Sequence, residues 1–332
     1  SIANPELKWQ TTLNRNIGLE FSLLQGLVNL DFNYYSNITK NNLTDIAILP
    51  STGFSTYKAN MGKVRNQGYE FSLSITPIKK NGWIVNAFVN GAHNKNKLLN
   101  ISDALRDYNE VIKENQTAHL NYAGYTQLER IFLFEEGQSL NSIFAVRSMG
   151  IDPGTGQEIF VTADGVQTFQ WNAADQVVVG NTEPTLKGYF GLNVDYKRWS
   201  FGANFQYSFG ADRYNKTLYE KIEGGNFAQN ADRRALTQRW TKPGDVAKYR
   251  GYGNTSQLKP TSRFVQKDDF LSMTSARLSY TLNANDLQSL DISLLKFTLS
   301  TNDLFYVSTI KQERGLSYPF ARTFYFSLQA NF

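Results

Sequence analysis

Segments of about ten residues in which apolar and small polar residues alternate one by one recur along almost the whole chain, and they leave few folds open. From Tyr189 onward, Phe190, Leu192, Val194 and Tyr196 share one face, while Gly191, Asn193, Asp195 and Lys197 share the other. Beyond Lys197-Arg198 the pattern resumes, with Phe201, Ala203, Phe205, Tyr207 and Phe209 against Gly202, Asn204, Gln206, Ser208 and Gly210. Successive side chains of a strand point to opposite faces, so this reads as a hairpin with one greasy and one polar side. Ile17, Leu19, Phe21 and Leu23 alternate with Asn16, Gly18, Glu20 and Ser22, and Val28, Leu30, Phe32 and Tyr34 follow across Gln25-Gly26. Tyr69 to Thr76, Trp83 to Val89, Ser275 to Leu282, Leu295 to Leu299 and Phe324 to Phe332 repeat the texture, with Ile84 and Phe88 breaking one polar face.

Strands of ~9–11 residues with this alternation fit a transmembrane β-barrel, and a soluble β-sandwich alternates too. Two features favour the barrel. The polar faces carry Asn, Ser, Gly, Thr and Gln, as in a wet lumen, where a sandwich exterior would carry Lys and Glu. Short turns at 25–26, 78–82, 197–198 and 284–289 also alternate strictly with long connections at 38–62, 94–184, 211–262 and 305–320. Outer-membrane barrels pair short periplasmic turns with long extracellular loops, whereas loops above ~12–15 residues are uncommon in compact soluble domains. The expected fold is therefore all-β, an antiparallel transmembrane barrel with nine strands in this chain. Nine is an odd number and leaves two open edges, so the chain reads as a piece of a larger barrel that starts in an extracellular loop. It begins at Ser1, without Met or a signal-peptide pattern, consistent with that expectation.

Composition excludes several functions. Lys and Arg number 34 against 29 acids, for a net charge of +5, and charged residues make up only 19% of the chain. That gives no reason to expect nucleic-acid binding. Mean hydropathy is −0.41, and no apolar run is long enough for a membrane-spanning helix. There is no Cys, and His93 and His119 are the only histidines, so neither a thiolate nucleophile nor a His/Cys metal site can be assembled. Asp152-Pro153-Gly154-Thr155-Gly156 and Asp164-Gly165 read as turns rather than calcium loops. The acids are scattered and no nucleophile is activated, so we expect no enzyme, no cofactor and no metal.

Ordered motifs resemble the SusC/RagA family. Asn4-Pro5-Glu6-Leu7-Lys8-Trp9 precedes Asn16-Ile17-Gly18-Leu19-Glu20-Phe21, and Asp31-Phe32-Asn33-Tyr34-Tyr35 leads to Thr39-Lys40-Asn41-Asn42-Leu43. Residues Asn60 to Glu70 fit an N-x-G-x-V-x-N-x-G-[FY]-E block. Glu136-Gly137-Gln138-Ser139-Leu140, Gly150 to Gly156, Gly180-Asn181-Thr182-Glu183-Pro184, Trp240 to Asp245, Ser262-Arg263-Phe264-Val265 and Tyr318 to Phe324 follow in family order. One departure is Ser272 to Ala276, where the family more often carries an Arg-containing segment.

The resemblance implies the C-terminal part of a twenty-two-stranded TonB-dependent outer-membrane transporter, with plug and TonB box outside residues 1–332. It implies a SusD-like surface lipoprotein as lid, energy through TonB, and an oligosaccharide or peptide as cargo. A passive porin or adhesin barrel and a soluble carbohydrate-binding module are the alternatives. Trp83 and Trp199 flank short turns, as a lower aromatic girdle would. Trp171, Trp240, Tyr249, Tyr252 and Tyr318 fall in long loops, where aromatic faces could contact cargo or lid. Loop 211–262, with Arg233, Arg234 and Trp240, is expected to meet the lid. Phe332 closes an amphipathic last strand and resembles an outer-membrane assembly signal. Ile101, Ala104, Leu105, Tyr108, Val111 and Ile112 have helical spacing after Ser102, a candidate N-cap.

Overall fold

The computed structural model describes residues 4–47, 56–118, 133–225, 232–254, 258–283, 286–287, 292–311 and 322–332. Nine long strands form one antiparallel path in chain order: β1 (Thr11–Leu23), β2 (Val28–Lys40), β3 (Gly62–Lys80), β4 (Trp83–Ile101), β5 (Leu186–Tyr196), β6 (Trp199–Phe209), β7 (Phe270–Asn283), β8 (Leu294–Asn302) and β9 (Thr323–Asn331). A short strand, Tyr306–Ser308, adds to the upper end of β7. Among the described residues β1 pairs only with β2 and β9 only with β8, so the sheet is a curved wall with two unpaired edges.

The register carries the predicted faces across every strand. Val85, Val194, Phe201, Leu278, Leu299 and Phe326 lie in one hydrogen-bonded row, and Asn86, Asn193, Gly202, Arg277 and Ser300 in the next. A sandwich would bury the first row against a second sheet. Here no second sheet covers it among the described residues, and Phe201, Leu278, Leu299 and Phe326 stand 40 to 70% exposed. Trp83 stacks on Tyr196 at 4.1 Å and Trp199 leans on Tyr280 at 4.7 Å, a continuous aromatic belt beside the short turns.

The turns explain themselves locally. Asn81 and Gly82 both take positive φ, the two-residue hairpin geometry whose twist matches the flanking strands. Phe88, which breaks the polar pattern of β4, faces Gly191: a Cβ there would lie 2.5 Å from the Phe88 ring. The Ser272 to Ala276 departure coincides with a register shift between β6 and β7, where Thr274 is the extra residue and its hydroxyl donates to the Asn204 carbonyl at 3.1 Å.

Two strands exceed the expected length. β3 and β4 run 19 residues each, about twice the ~9–11 residues of a membrane-spanning strand, and the following connection starts at Ser102, not at 94. Above the wall the long connections are folded. The first contains a hairpin, Leu43–Ala47 with Thr56–Asn60. The next holds α1 (Asp103–Ala118) and a four-stranded sheet built from 142–151, 158–161, 167–168 and 176–181. Ser102 accepts from the Leu105 amide as an N-cap should, and Leu105 is fully buried against Val64 and Leu98. Ile101 belongs to β4 rather than to the helix, Val111 is exposed, and the Ile112 side chain lies outside the described residues. Between β6 and β7 come 212–214 paired with 265–267, a π-helical turn at Thr217–Glu223 and α2 (Arg233–Thr237). The largest fully buried side chains, among them Phe144, Phe264, Leu98, Leu105, Ile222 and Val146, sit in this crown and at the strand tops it covers.

Candidate functional site

Two surfaces can do chemistry here: the crown and the polar inner face of the wall. The crown is held together by charges that the sequence spreads over 105 positions. Arg263 sends Nε and Nη2 to the two oxygens of Glu158 at 3.1 and 2.8 Å. Its Nη1 and Nη2 also meet both oxygens of Glu223, the latter at 2.9 Å, and Nη1 reaches the Lys248 carbonyl at 2.8 Å. Arg250 closes the group through Nε to Glu223 at 2.9 Å, and Thr261 donates to Glu158 at 2.7 Å. The Glu158 and Glu223 side chains are 3% and 0% exposed. Burial opposes the charge on Arg263, but Glu158 and Glu223 outweigh it and hold the guanidinium well above its ordinary value. Arg239 spans beside them, donating to the carbonyls of Ala235, Ile222, Glu223 and Arg250, with burial drawing its pKa down. Burial also pushes up the phenols of Tyr214 and Tyr219 nearby.

Since Glu158 comes from one excursion and Glu223 and Arg263 from the next, the network welds the two into one body. Ser262 Oγ accepts from the Ser148 amide at 3.0 Å, and Thr261 bridges to Val146. Sequence periodicity carries no signal for such pairing. Arg263 stood inside a family-like motif, but nothing marked its partners.

The loop aromatics take different stations. The Trp171 indole donates to the Pro260 carbonyl at 3.1 Å beneath the Lys259 ammonium. Trp240 donates to the Pro153 carbonyl at 2.8 Å and lies over Gly156, whose positive φ and missing Cβ leave the ring its seat. Tyr249 is buried beside Ile222 and Ala235. Tyr252 is 47% exposed and stacks with Arg239. Tyr318 and His119 lie outside the described residues. Trp240 also lines a cleft of about 490 Å³ with Phe169, Gln157, Arg250 and Asn254, an aromatic floor with amide and charged rims. Arg233 and Arg234 open α2, where Asp232 caps the helix and pairs with Arg234, which holds its carboxyl at about 2. Asp152 spends its carboxylate on the Thr155 amide and hydroxyl at 2.9 and 2.6 Å. Among the described residues no three His, Asp or Glu side chains gather as metal ligands.

The inner face of the wall carries two adjacent rows, Glu20, Asp31, Ser72, Asn90, Tyr189, Gln206 and Gly18, Asn33, Glu70, Ala92, Lys187. They line a concavity of about 890 Å³ whose charge is mostly acidic. His93 lies on the opposite face in β4, against Tyr69 at 5.1 Å, with Nδ1 2.6 Å from the Thr185 carbonyl.

The model of the family described as TonB dependent receptor-like, beta-barrel, matches residues 1–132. A TonB-dependent receptor of Formosa agariphila is 27% identical over 327 residues, covering 87% of this chain and 31% of that protein. The TonB-dependent receptor SusC of Bacteroides thetaiotaomicron is 25% identical over 241 residues, covering 69% of this chain and 22% of that one. SusC/RagA-like TonB-dependent receptor barrels are what this chain is similar to. The fold agrees: the solved RagAB peptide transporter superposes with a TM-score of 0.75 at 23% identity, over 93% of this chain and 33% of that one. This chain thus spans between about a fifth and a third of the length of these relatives. Two of the ordered motifs fall at joints of the fold: the Asn60 to Glu70 block runs from the end of the hairpin into the tall strand β3, and Ser262 to Val265 carries the crown's central arginine.

Proposed function

We propose that residues 1–332 form the C-terminal barrel section of an outer-membrane importer energised through TonB, with plug, TonB box and the remaining strands supplied by sequence outside them. The observation that carries this reading is the wall itself. Among the described residues its outer face is apolar and bare, its inner face is polar, and its two edges are unpaired. Unpaired edges in lipid cost several kcal/mol per backbone group, so further strands must cover them. That the similar proteins are TonB-dependent receptors supports TonB coupling. In a strain carrying the whole receptor, uptake that persists without TonB would point to the passive porin reading instead.

The cargo is an oligosaccharide, with peptide as second reading because RagAB is described as a peptide transporter. The cleft at Trp240 and Phe169 suits a sugar ring, whose apolar C–H face stacks on aromatics while Asn254 and Gln157 meet its hydroxyls. Glu20, Asp31 and Glu70 disfavour anionic cargo. A SusD-like lipoprotein would dock on the crown, where Val246, Tyr252, Phe169 and Leu236 are exposed. Shortening loop 211–262 should then reduce co-purification of the lid from membranes in which the barrel still assembles. Undiminished recovery would place the lid contact elsewhere.

Phe332 extends past β9 and is 91% exposed, in line with Phe324, Phe326 and Leu328 on the outer face. Its deletion is expected to lower assembled receptor without lowering synthesis, measured by heat-modifiable migration against total protein. Unchanged assembly would remove Phe332 from that role.

A further inference from the structure

Six cations crowd the upper rim of the outer face. Alternation from the apolar row Ile17, Tyr34, Tyr69, His93 places Arg15 and Lys95 two residues higher on that same face, and Arg65 and Lys97 next above. Lys40 and Lys63 stand opposite one another on the neighbouring strands. The outer faces of β1 to β4 hold no carboxylate: their acids, Glu20, Asp31 and Glu70, all point to the lumen.

This arrangement is unfavourable as it stands. Arg65 lies directly across from Lys97, and Lys40 across from Lys63, and like charges so placed repel. None of the six makes an ion pair among the described residues, and the buried Arg65 Nε has no hydrogen-bond partner. Arg65, Lys95 and Lys97 also line a cavity of about 640 Å³, where β4 is left by β5 above Ala92 and met again by Gly137 and Gln138 at Leu98. The carboxylates on its far wall are already engaged, Glu183 with Lys187 at 3.4 Å and Asp212 with Lys267 at 2.7 Å.

Height decides what the rim meets. From Trp83 in the lower belt to His93, at ~3.4 Å per residue and a tilt of about 40°, the strand climbs about 26 Å, the height of an outer-membrane apolar band. Lys95 and Lys97 follow about 5 and 10 Å higher, at headgroup level. From this we infer that the rim binds the phosphate-bearing headgroup of an outer-leaflet lipid, the acyl chains lying along the row of Tyr34, Tyr69 and His93. Basic clusters at a membrane surface gain affinity from each cation, and the anion would relieve both repelling pairs.

The inference rests on the outer-membrane reading. It is tested on the whole receptor, extracted from outer membranes in mild detergent, by native mass spectrometry of retained phosphate-bearing lipid. Arg65→Ala/Lys95→Ala/Lys97→Ala is expected to lower retention on the order of tenfold or more, with fractionation and heat-modifiable migration unchanged. Lys79→Ala/Lys80→Ala, on the opposite rim, should retain the lipid. Equal retention by the triple variant, loss in the opposite-rim control, or displacement by millimolar inorganic phosphate would overturn the lipid site. A receptor that never fractionates with outer membrane would overturn the membrane reading along with it.

Discussion

Arg263→Ala is expected to loosen the crown while leaving the barrel wall assembled. The substitution strands Glu158 and removes the fork that joins it to Glu223, both in nearly complete burial. Removing one partner of a buried pair costs about 3–5 kcal/mol, because the remaining charge keeps its desolvation cost without its compensation. Glu223 keeps Arg250, so the larger loss falls on Glu158 and on the sheet of residues 142–181 that it anchors. The exposed turn at Asp164-Gly165 should become a protease site, while heat-modifiable migration of the barrel stays as in the parent. Arg263→Met combined with Glu158→Leu should be less damaging than Arg263→Ala alone, since no carboxylate is then left unpaired. A protease pattern unchanged by Arg263→Ala would mean that backbone links such as Val146 to Thr261 suffice.

The second large effect concerns neighbours on one strand. Leu192→Arg puts a cation on the bare apolar face, roughly 10 Å above the belt at Tyr196 by strand rise and tilt, close to the middle of the band. Arginine there is expected to cost about 2–4 kcal/mol. Asn193→Arg, one residue along, enters the polar lumen beside Gly202 and should be tolerated. The readout is the fraction of receptor that reaches the heat-modifiable form. Equal assembly of the two variants would contradict the assignment of faces.

Much of the wall was legible in the sequence because strand alternation is a local property. Leu192 and Asn193 fall on opposite faces whatever lies beyond them, and the short turns at Asn81-Gly82 and Lys197-Arg198 fix which strands are neighbours. Upper strand limits were not legible. Residues 93–101 continue β4 although Lys95 and Lys97 break the apolar row, because pairing with β3 rather than lipid burial sustains the strand there. The crown was least legible, since its order depends on contacts such as Arg263 with Glu158 that join separate loops. Of the loop aromatics, the indole N–H groups of Trp171 and Trp240 are engaged by carbonyls, a fact that only the fold supplies. The outward cations were visible one by one, but their convergence required the register of four strands.

The most direct test of a lipid-facing wall uses the absence of cysteine from this chain. Single cysteines are introduced at Phe190 and from Leu192 through Asp195 in the whole receptor, in a background free of other cysteines. Intact outer membranes are then treated with a hydrophilic, charged maleimide. Labelling is expected at 193 and 195 and protection at 190, 192 and 194, with lipid-dissolved reagent giving the reverse. Uniform labelling along the strand, or protection at 193 and 195 instead, would contradict a barrel wall with lipid on the apolar side.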